Sequence, residues 1–228
     1  MWINIKWYNS ANSVLREDGT YGAITANIKG VQTQVNTLLD LKGTNTRIYE
    51  VHGAMTQKWA EQLLDMGKPA SLPLSFDRET GQVNFTLSDL AKLDSDEYHE
   101  TLHFILNNTV VLDNRIPPYG MKFSEAKKRN ALPVPSCQFG CPASSGSYKY
   151  FDSLKMVPPK GAKTATITLY YQPTSWEYIQ FLALANDGTS ATLAKEGDNL
   201  LDAWLNTGMA EPYPMATTNW TCASKSGC

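Results

Sequence analysis

The sequence predicts a mostly β chain with helical decoration, an α+β class in which a β-sandwich-like domain is preceded by a short helical segment. Three patterns carry that expectation. Runs rich in β-branched and aromatic residues fill the middle of the chain, and in "TATITLYYQ" the alternation puts Ala165, Ile167, Leu169 and Tyr171 on one side. Two later stretches carry the start and stop residues of helices. Ile24, Ile28, Val31, Val35, Leu38 and Leu39 recur at the i, i+4, i+7 spacing of one helix face, and that stripe must be buried against something. The expected organisation is a helical segment at residues 1–45 for packing or partner docking, a β-rich sandwich-like domain at 46–221 and a cysteine-bearing tail at 222–228.

Taken in order, "NTRIYEVHG" reads as a strand, and "AMTQKWAEQLLDMGKP" as a helix stopped by Gly67 and Pro69. "PLSFDRETGQVNFTL" reads as a hairpin around "RETG", with Val83, Phe85 and Leu87 alternating on its second arm. "TLHFILNNTVVLDNRI" has the composition of one long or broken strand, and "YFDSLKMVPP" and "TATITLYYQ" follow as further strands. In "TSWEYIQFLALANDG" Thr174 and Glu177 have capping-box spacing, and Asn186 to Gly188 end the helix. In "DNLLDAWLNTG" Asp198 is the expected N-cap and Gly208 the stop.

Length and charge exclude several function classes. A chain of 228 residues can enclose a proper core. With 20 basic and 22 acidic residues and no basic run to track a phosphate backbone, nucleic acid is not an expected partner. No apolar run approaches the roughly 20 residues that span a bilayer, and "MWINIKWYNS" lacks the basic-then-apolar order of a secretory signal. The chain reads as soluble, and either cytosolic or already processed.

Four cysteines fall in two stretches, "CQFGC" (Cys137, Cys141) and "CASKSGC" (Cys222, Cys228). An even number of close cysteines in Gly/Ser/Pro-rich loops reads as a disulfide set in an oxidising compartment, with three connectivities open. A four-thiolate zinc site is the competing reading, although its knuckles are usually tighter. Neither stretch supplies the Cys-x-x-Cys-His that attaches a c-type haem.

"HETLH", His99 to His103, fits the HExxH zinc pattern, in which one helix face presents both histidines and Glu100 serves as general base. The flanking residues have strand and loop character instead. In a strand the two rings share a face about 13 Å apart at about 3.3 Å per residue, too far for one zinc. The match is therefore read as chance, with no catalytic residue and no metal ligand assigned. His52, in "YEVHGAM", reads as a strand-end residue bonded to backbone, or as a ligand or neighbour of a haem carried elsewhere. There is no Gly-x-Ser-x-Gly elbow and no Gly-rich phosphate loop. Asp94, Asp96 and Glu97 form a solvated acidic run, with calcium a minor alternative. Trp59, Trp176, Trp204 and Trp220, with Tyr170, Tyr171 and Tyr178, fall mostly at inward-facing positions and read as core. In "DNRIPPYGM", Asp113, Asn114, Arg115, Pro117 and Pro118 read as a structural corner in which the Arg115 guanidinium pins a carboxylate or carbonyls.

At this corner the sequence resembles a known family. "RIYEVHGAMTQKWAEQL", "LHFILNNTVVLDNRIPPYGM", "KKRNALPVP", "YYQPTSWEYIQFL" and "LLDAWLNTGMAEPYPMA", in this order, are similar to the haem-free, β-rich C-terminal region of bacterial multihaem c-type cytochromes. The resemblance runs from about Arg47 to Trp220 and brings no catalytic residue with it. It implies export to the periplasm or cell surface and a non-catalytic module that supports electron-transfer assembly. The partner would be a multihaem c-type cytochrome or a neighbouring subunit, with haem supplied by that partner or by a portion outside this chain. His52 and His103 would be the residues nearest the haem, and the stripe from Ile24 to Leu39 would be the docking face. "CQFGC" and the cysteine tail fall outside the family pattern, which suggests a staple between the two regions. The alternatives are a free-standing surface-binding or adhesion module for carbohydrate or protein and, less favoured, a zinc metallohydrolase using HETLH.

Overall fold

The computed structural model describes every residue except 42, 44, 144, 145 and 224–228. Its strands are β1 (Trp2–Tyr8), β2 (Val14–Asp18), β3 (Tyr21–Ile28), β4 (Val31–Leu38), β5 (Arg47–Ile48), β6 (Val51–Thr56), β7 (Pro73–Phe76), β8 (Val83–Thr86), β9 (Tyr98–Glu100), β10 (Thr109–Asp113), β11 (Thr164–Tyr171) and β12 (Tyr213–Thr221). Its helices are α1 (Gln57–Asp65), α2 (Leu87–Ala91), α3 (Phe123–Lys128), α4 (Trp176–Ala185) and α5 (Glu196–Asn206). The chain is mostly β with several short helices, arranged in several antiparallel sheets without a closed barrel among the described residues. No helix among them is long and apolar enough to cross a membrane.

Two compact units divide the chain. One combines Met1–Ile48 with Leu154–Cys228, and the other is Tyr49–Ser153. The first unit thus draws on both ends of the sequence, which differs from a boundary near residue 45 followed by one continuous domain.

In the first unit a sheet runs β12-β11-β1-β2, with β5 pairing the other end of the same β1 edge. Ile5, Trp7, Ala162 and Ala165 form its buried cluster, with Ile167 and Trp220 packed against them. Trp7 is fully buried, and its indole N–H donates to Asp18 Oδ2 at 2.7 Å. Asp18 is also bound by Arg16, at 2.7 Å from Nε, so the buried carboxylate is paired and hydrogen-bonded.

The described residues of 1–45 hold no helix, which corrects the sequence expectation. β3 and β4 are a hairpin closed by Lys29 (φ 49°) and Gly30 (φ 90°). Two central residues with positive φ are what a two-residue type I′ hairpin needs, and Asn27 Oδ1 accepts from Gly30 N–H at 2.8 Å. The helical period was an alias. Ile24 and Ile28 are four apart, as are Val31 and Val35, so each pair also shares one face of a strand. The step of three from Ile28 to Val31 is the turn, across which the two residues pair. Part of that face does become buried, but inside its own unit: Ala26, Ile28 and Val35 pack on Trp176, Ile179 and Trp204 of α4 and α5, while Val31 stays exposed.

The helix ends differ in detail from the sequence reading. α4 is capped by Ser175 without a side-chain cap bond, and Glu177 accepts from the Thr37 hydroxyl at 3.1 Å. Asp198 lies in the first turn of α5, after the N-cap Lys195, and pairs with Lys29 Nζ at 2.6 Å.

The second unit has a sheet in the order β10-β6-β9 and the β7–β8 hairpin. Met55, Ala60, Leu63, Leu74, Leu87 and Leu90 form its larger cluster, packing α1 and α2 on the strands. Thr56 caps α1, and Gly67, at φ 85°, follows its end as expected. α2 begins with a capping box of Thr86 and Asp89. The stretch from Thr101 expected as one long or broken strand is a turn through Leu106 followed by the short strand β10, and "YFDSLKMVPP" forms no strand. A smaller cluster gathers Ala126, Phe139 and Tyr148.

Candidate functional site

The Asp113–Pro118 corner closes β10 and is braced from three sides, all within the second unit. Arg115 grips the Asp113 carboxylate in a fork, Nε to Oδ1 at 2.8 Å and Nη2 to Oδ2 at 2.7 Å. The Asp113 backbone exchanges hydrogen bonds with Val134, just before the cis Val134–Pro135 peptide. Asn114 is buried, and its Oδ1 accepts from Glu50 N–H at 2.7 Å while its own N–H donates to Glu50 C=O at 3.1 Å. Pro117 is buried and Pro118 exposed. The structural reading of the corner thus has a specific content: it fixes the backbone of Glu50.

Glu50 in turn addresses His52. Its Oε2 lies 3.2 Å from His52 Nε2, and Glu100 Oε2 lies 2.9 Å from His52 Nδ1. Leu112 pairs with His52 across β10–β6, and Ala54 pairs with Glu100 across β6–β9, so the sheet register brings the three groups together. The hydrogen bond that the His52 ring donates to Glu50, reinforced by the charges of Glu50 and Glu100, raises the His52 pKa above its ordinary value against the opposing effect of burial. The side chains are 32%, 35% and 53% exposed for His52, Glu50 and Glu100, which makes this a surface charge network.

The other two histidines have the opposite electrostatics. His99 stacks on Phe85 at 4.1 Å between ring centroids, and its Nε2 is 2.9 Å from Ser75 Oγ. His103 Nε2 donates to Pro73 C=O at 2.8 Å. Burial lowers both pKa values, with Glu100 opposing at His99 and the Pro73 carbonyl opposing at His103. HETLH lies on β9 and the following turn, so the helical frame of the zinc motif is not present and Glu100 points its chemistry at His52. His52 has both ring nitrogens on carboxylates, an engagement that does not fit an axial haem ligand, whereas His103 is held through Nε2 on the Pro73 carbonyl. No cluster of three metal-ligating side chains suited to an ion occurs among the described residues.

Cys137 is bonded to Cys141, which overturns a staple between the "CQFGC" loop and the tail. They lie four positions apart in sequence, so this bond closes only a local loop. Cys222 is also disulfide-bonded, and Cys228 lies outside the described residues.

Beyond the corner lies a group of residues the sequence did not single out. Tyr119, 83% exposed, sits at the tip of a turn closed by Met121 N–H to Pro118 C=O. Its ring meets Tyr150 edge-on at 5.0 Å, and Tyr150 meets Phe151 edge-on at 5.7 Å. The Tyr150–Phe151 segment is anchored on one side by buried Tyr148 and on the other by Tyr49 Oη donating to Asp152 at 3.1 Å. The Pro-Pro-Tyr-Gly spacing signals a presented Tyr119, but nothing local marks Tyr150 and Phe151 as its neighbours. Searches against protein-family models, curated proteins and solved structures find no match to this chain.

Proposed function

We propose that this chain is a non-catalytic, extracytoplasmic docking module that completes or covers a multihaem c-type cytochrome or a neighbouring subunit in an electron-transfer assembly. The observation that carries the reading is the aromatic ridge of Tyr119, Tyr150 and Phe151, three large exposed rings brought together from a braced turn and an anchored segment. Rigid, exposed aromatic side chains are the residues from which interface anchors are built. The ridge replaces the Ile24–Leu39 stripe as docking surface, since the buried part of that stripe packs within its own unit. Haem belongs to the partner in this reading, with His52 and His103 near it as neighbours and not as ligands. The Cys137–Cys141 bond supports an oxidising compartment, and a sandwich-like packing of the sheets is part of the same proposal.

The test is the iron content per chain of the protein purified gently from its host. Several irons travelling with each chain, with no haem bonded to it, are expected. They should be lost on Tyr119→Ala with Tyr150→Ala while the chain keeps its circular dichroism. Iron-free protein, or iron retained in that folded double variant, would remove the proposal.

A further inference from the structure

A cleft in the first unit carries an inference that does not depend on the docking reading. Beside the β1–β2 turn lies an open cleft of about 380 Å³, lined by Tyr8, Asn12, Thr164, Thr166, Asn219 and Thr221, with Ala165 and Trp220 completing it. Its origin is the register of three adjacent strands. Tyr8, Thr164 and Thr221 pair laterally, as do Lys6, Thr166 and Asn219, so all six residues project from one face of the sheet. Ala165 and Trp220 alternate to the opposite face, where Trp220 packs edge-on against Trp7 at 5.5 Å. On the cleft face, small hydroxyl and amide side chains stand beside the taller Tyr8 ring, and the difference in height is the groove.

One wall is preset by the turn. Asn9 Oδ1 accepts from both Ala11 and Ser13 N–H at 2.9 Å, and Asn12 takes φ 58°, a left-handed conformation that Asn tolerates better than most side chains. Asn12 is thereby held at the rim without a ligand to order it.

The lining has a narrow chemical signature. It offers two carboxamides, three threonine hydroxyls and one phenol, which together donate and accept, plus one ring face. It contains no carboxylate, ammonium or guanidinium. Lys6, in the same row as Thr166 and Asn219, is paired with Glu17 at 3.6 Å. A charged ligand would find no counter-ion among the lining residues, with Lys6 beside them already paired to Glu17, and a purely apolar one would strand the hydroxyls and amides. We infer that the cleft of Tyr8, Asn12, Thr166 and Asn219 binds a neutral, polyhydroxylated ligand, a glycan chain lying across the ends of β1, β11 and β12.

The full chain would be titrated calorimetrically with cellohexaose, maltohexaose and chitohexaose, and with a heparin hexasaccharide as polyanionic counterpart. Saturable binding of at least one neutral hexasaccharide is expected, about tenfold weaker in Asn219→Ala, the loss of roughly one hydrogen bond. Tyr119→Ala, in the other unit, should leave it unchanged. Asn219 is exposed on an edge strand, and an unchanged melting temperature certifies the variant as folded. The inference is overturned if no neutral hexasaccharide saturates, if heparin alone binds, or if affinity survives both Asn219→Ala and Asn12→Ala.

Discussion

The two units order their backbones by different means. In the first, β1 pairs with β11 along its whole length and β11 pairs with β12 along all of its own, so the main chain satisfies itself over long ladders. Its clusters are built round the fully buried Trp7 and Trp176. In the second, strands are short and side-chain amides take over main-chain duties. Asn114 caps Glu50, Asn107 donates to Thr101 C=O, and Asn108 Oδ1 accepts from Thr56 N–H. The Trp59 indole N–H likewise donates to Leu106 C=O at 2.7 Å. Buried backbone groups must be paired in either case. What differs is which substitution hurts: loss of apolar volume in the first unit, loss of a single polar atom in the second.

The largest effect should follow Trp176→Ala. The ring is fully buried at 5.8 Å from Trp204 and carries the hairpin face of Ala26, Ile28 and Val35. Removing it should cost about 3–5 kcal/mol, read from urea unfolding. A cost under about 1 kcal/mol would mean that the hairpin does not depend on α4.

Asn114→Ala should come next, at about 1–3 kcal/mol, because it strands the Glu50 N–H rather than opening a large void. It carries a second readout that a purely structural role would not move. With Glu50 no longer fixed, the His52 pKa, followed by its ring-proton shifts, should fall toward the ordinary imidazole value. If stability drops while that titration stays put, the corner braces the fold without positioning Glu50.

The same contrast explains what the sequence could disclose. Features made by neighbours in the chain were legible: the Gly67 stop after α1, the "RETG" hairpin, and the rigid corner with Arg115 on Asp113. The β3–β4 hairpin was misread because its four-residue spacing satisfies both periods, and only the Lys29–Gly30 turn decides between them. β12 escaped notice because all but one of its residues are exposed, so it carries no buried stripe. His52 was legible as a singular residue, but its partner Glu100 is 48 positions away and is brought in by sheet register alone. The cleft was hidden for the same reason, as its walls come from both ends of the chain.

The smallest effect sets His52 against His99 and His103. The folded pKa of His52 is raised, so its contribution to stability is fully present below the unfolded value of about 6.5 and is lost as pH rises through the folded value. His99 and His103 are lowered, so the unfolded chain takes up their protons first and stability falls as pH drops below about 6.5. The surface network therefore offsets part of the acid sensitivity of the two half-buried rings. His52→Gln keeps a hydrogen-bonding side chain but removes the titrating charge between Glu50 and Glu100. The stability difference between parent and variant should be widest near pH 5 and narrow toward pH 8, a comparison in which the other carboxylates and histidines cancel. A difference that stays flat, or widens as pH rises, would show that Glu50 and Glu100 do not hold the protonated ring, and with it that the corner has no electrostatic reach beyond Glu50.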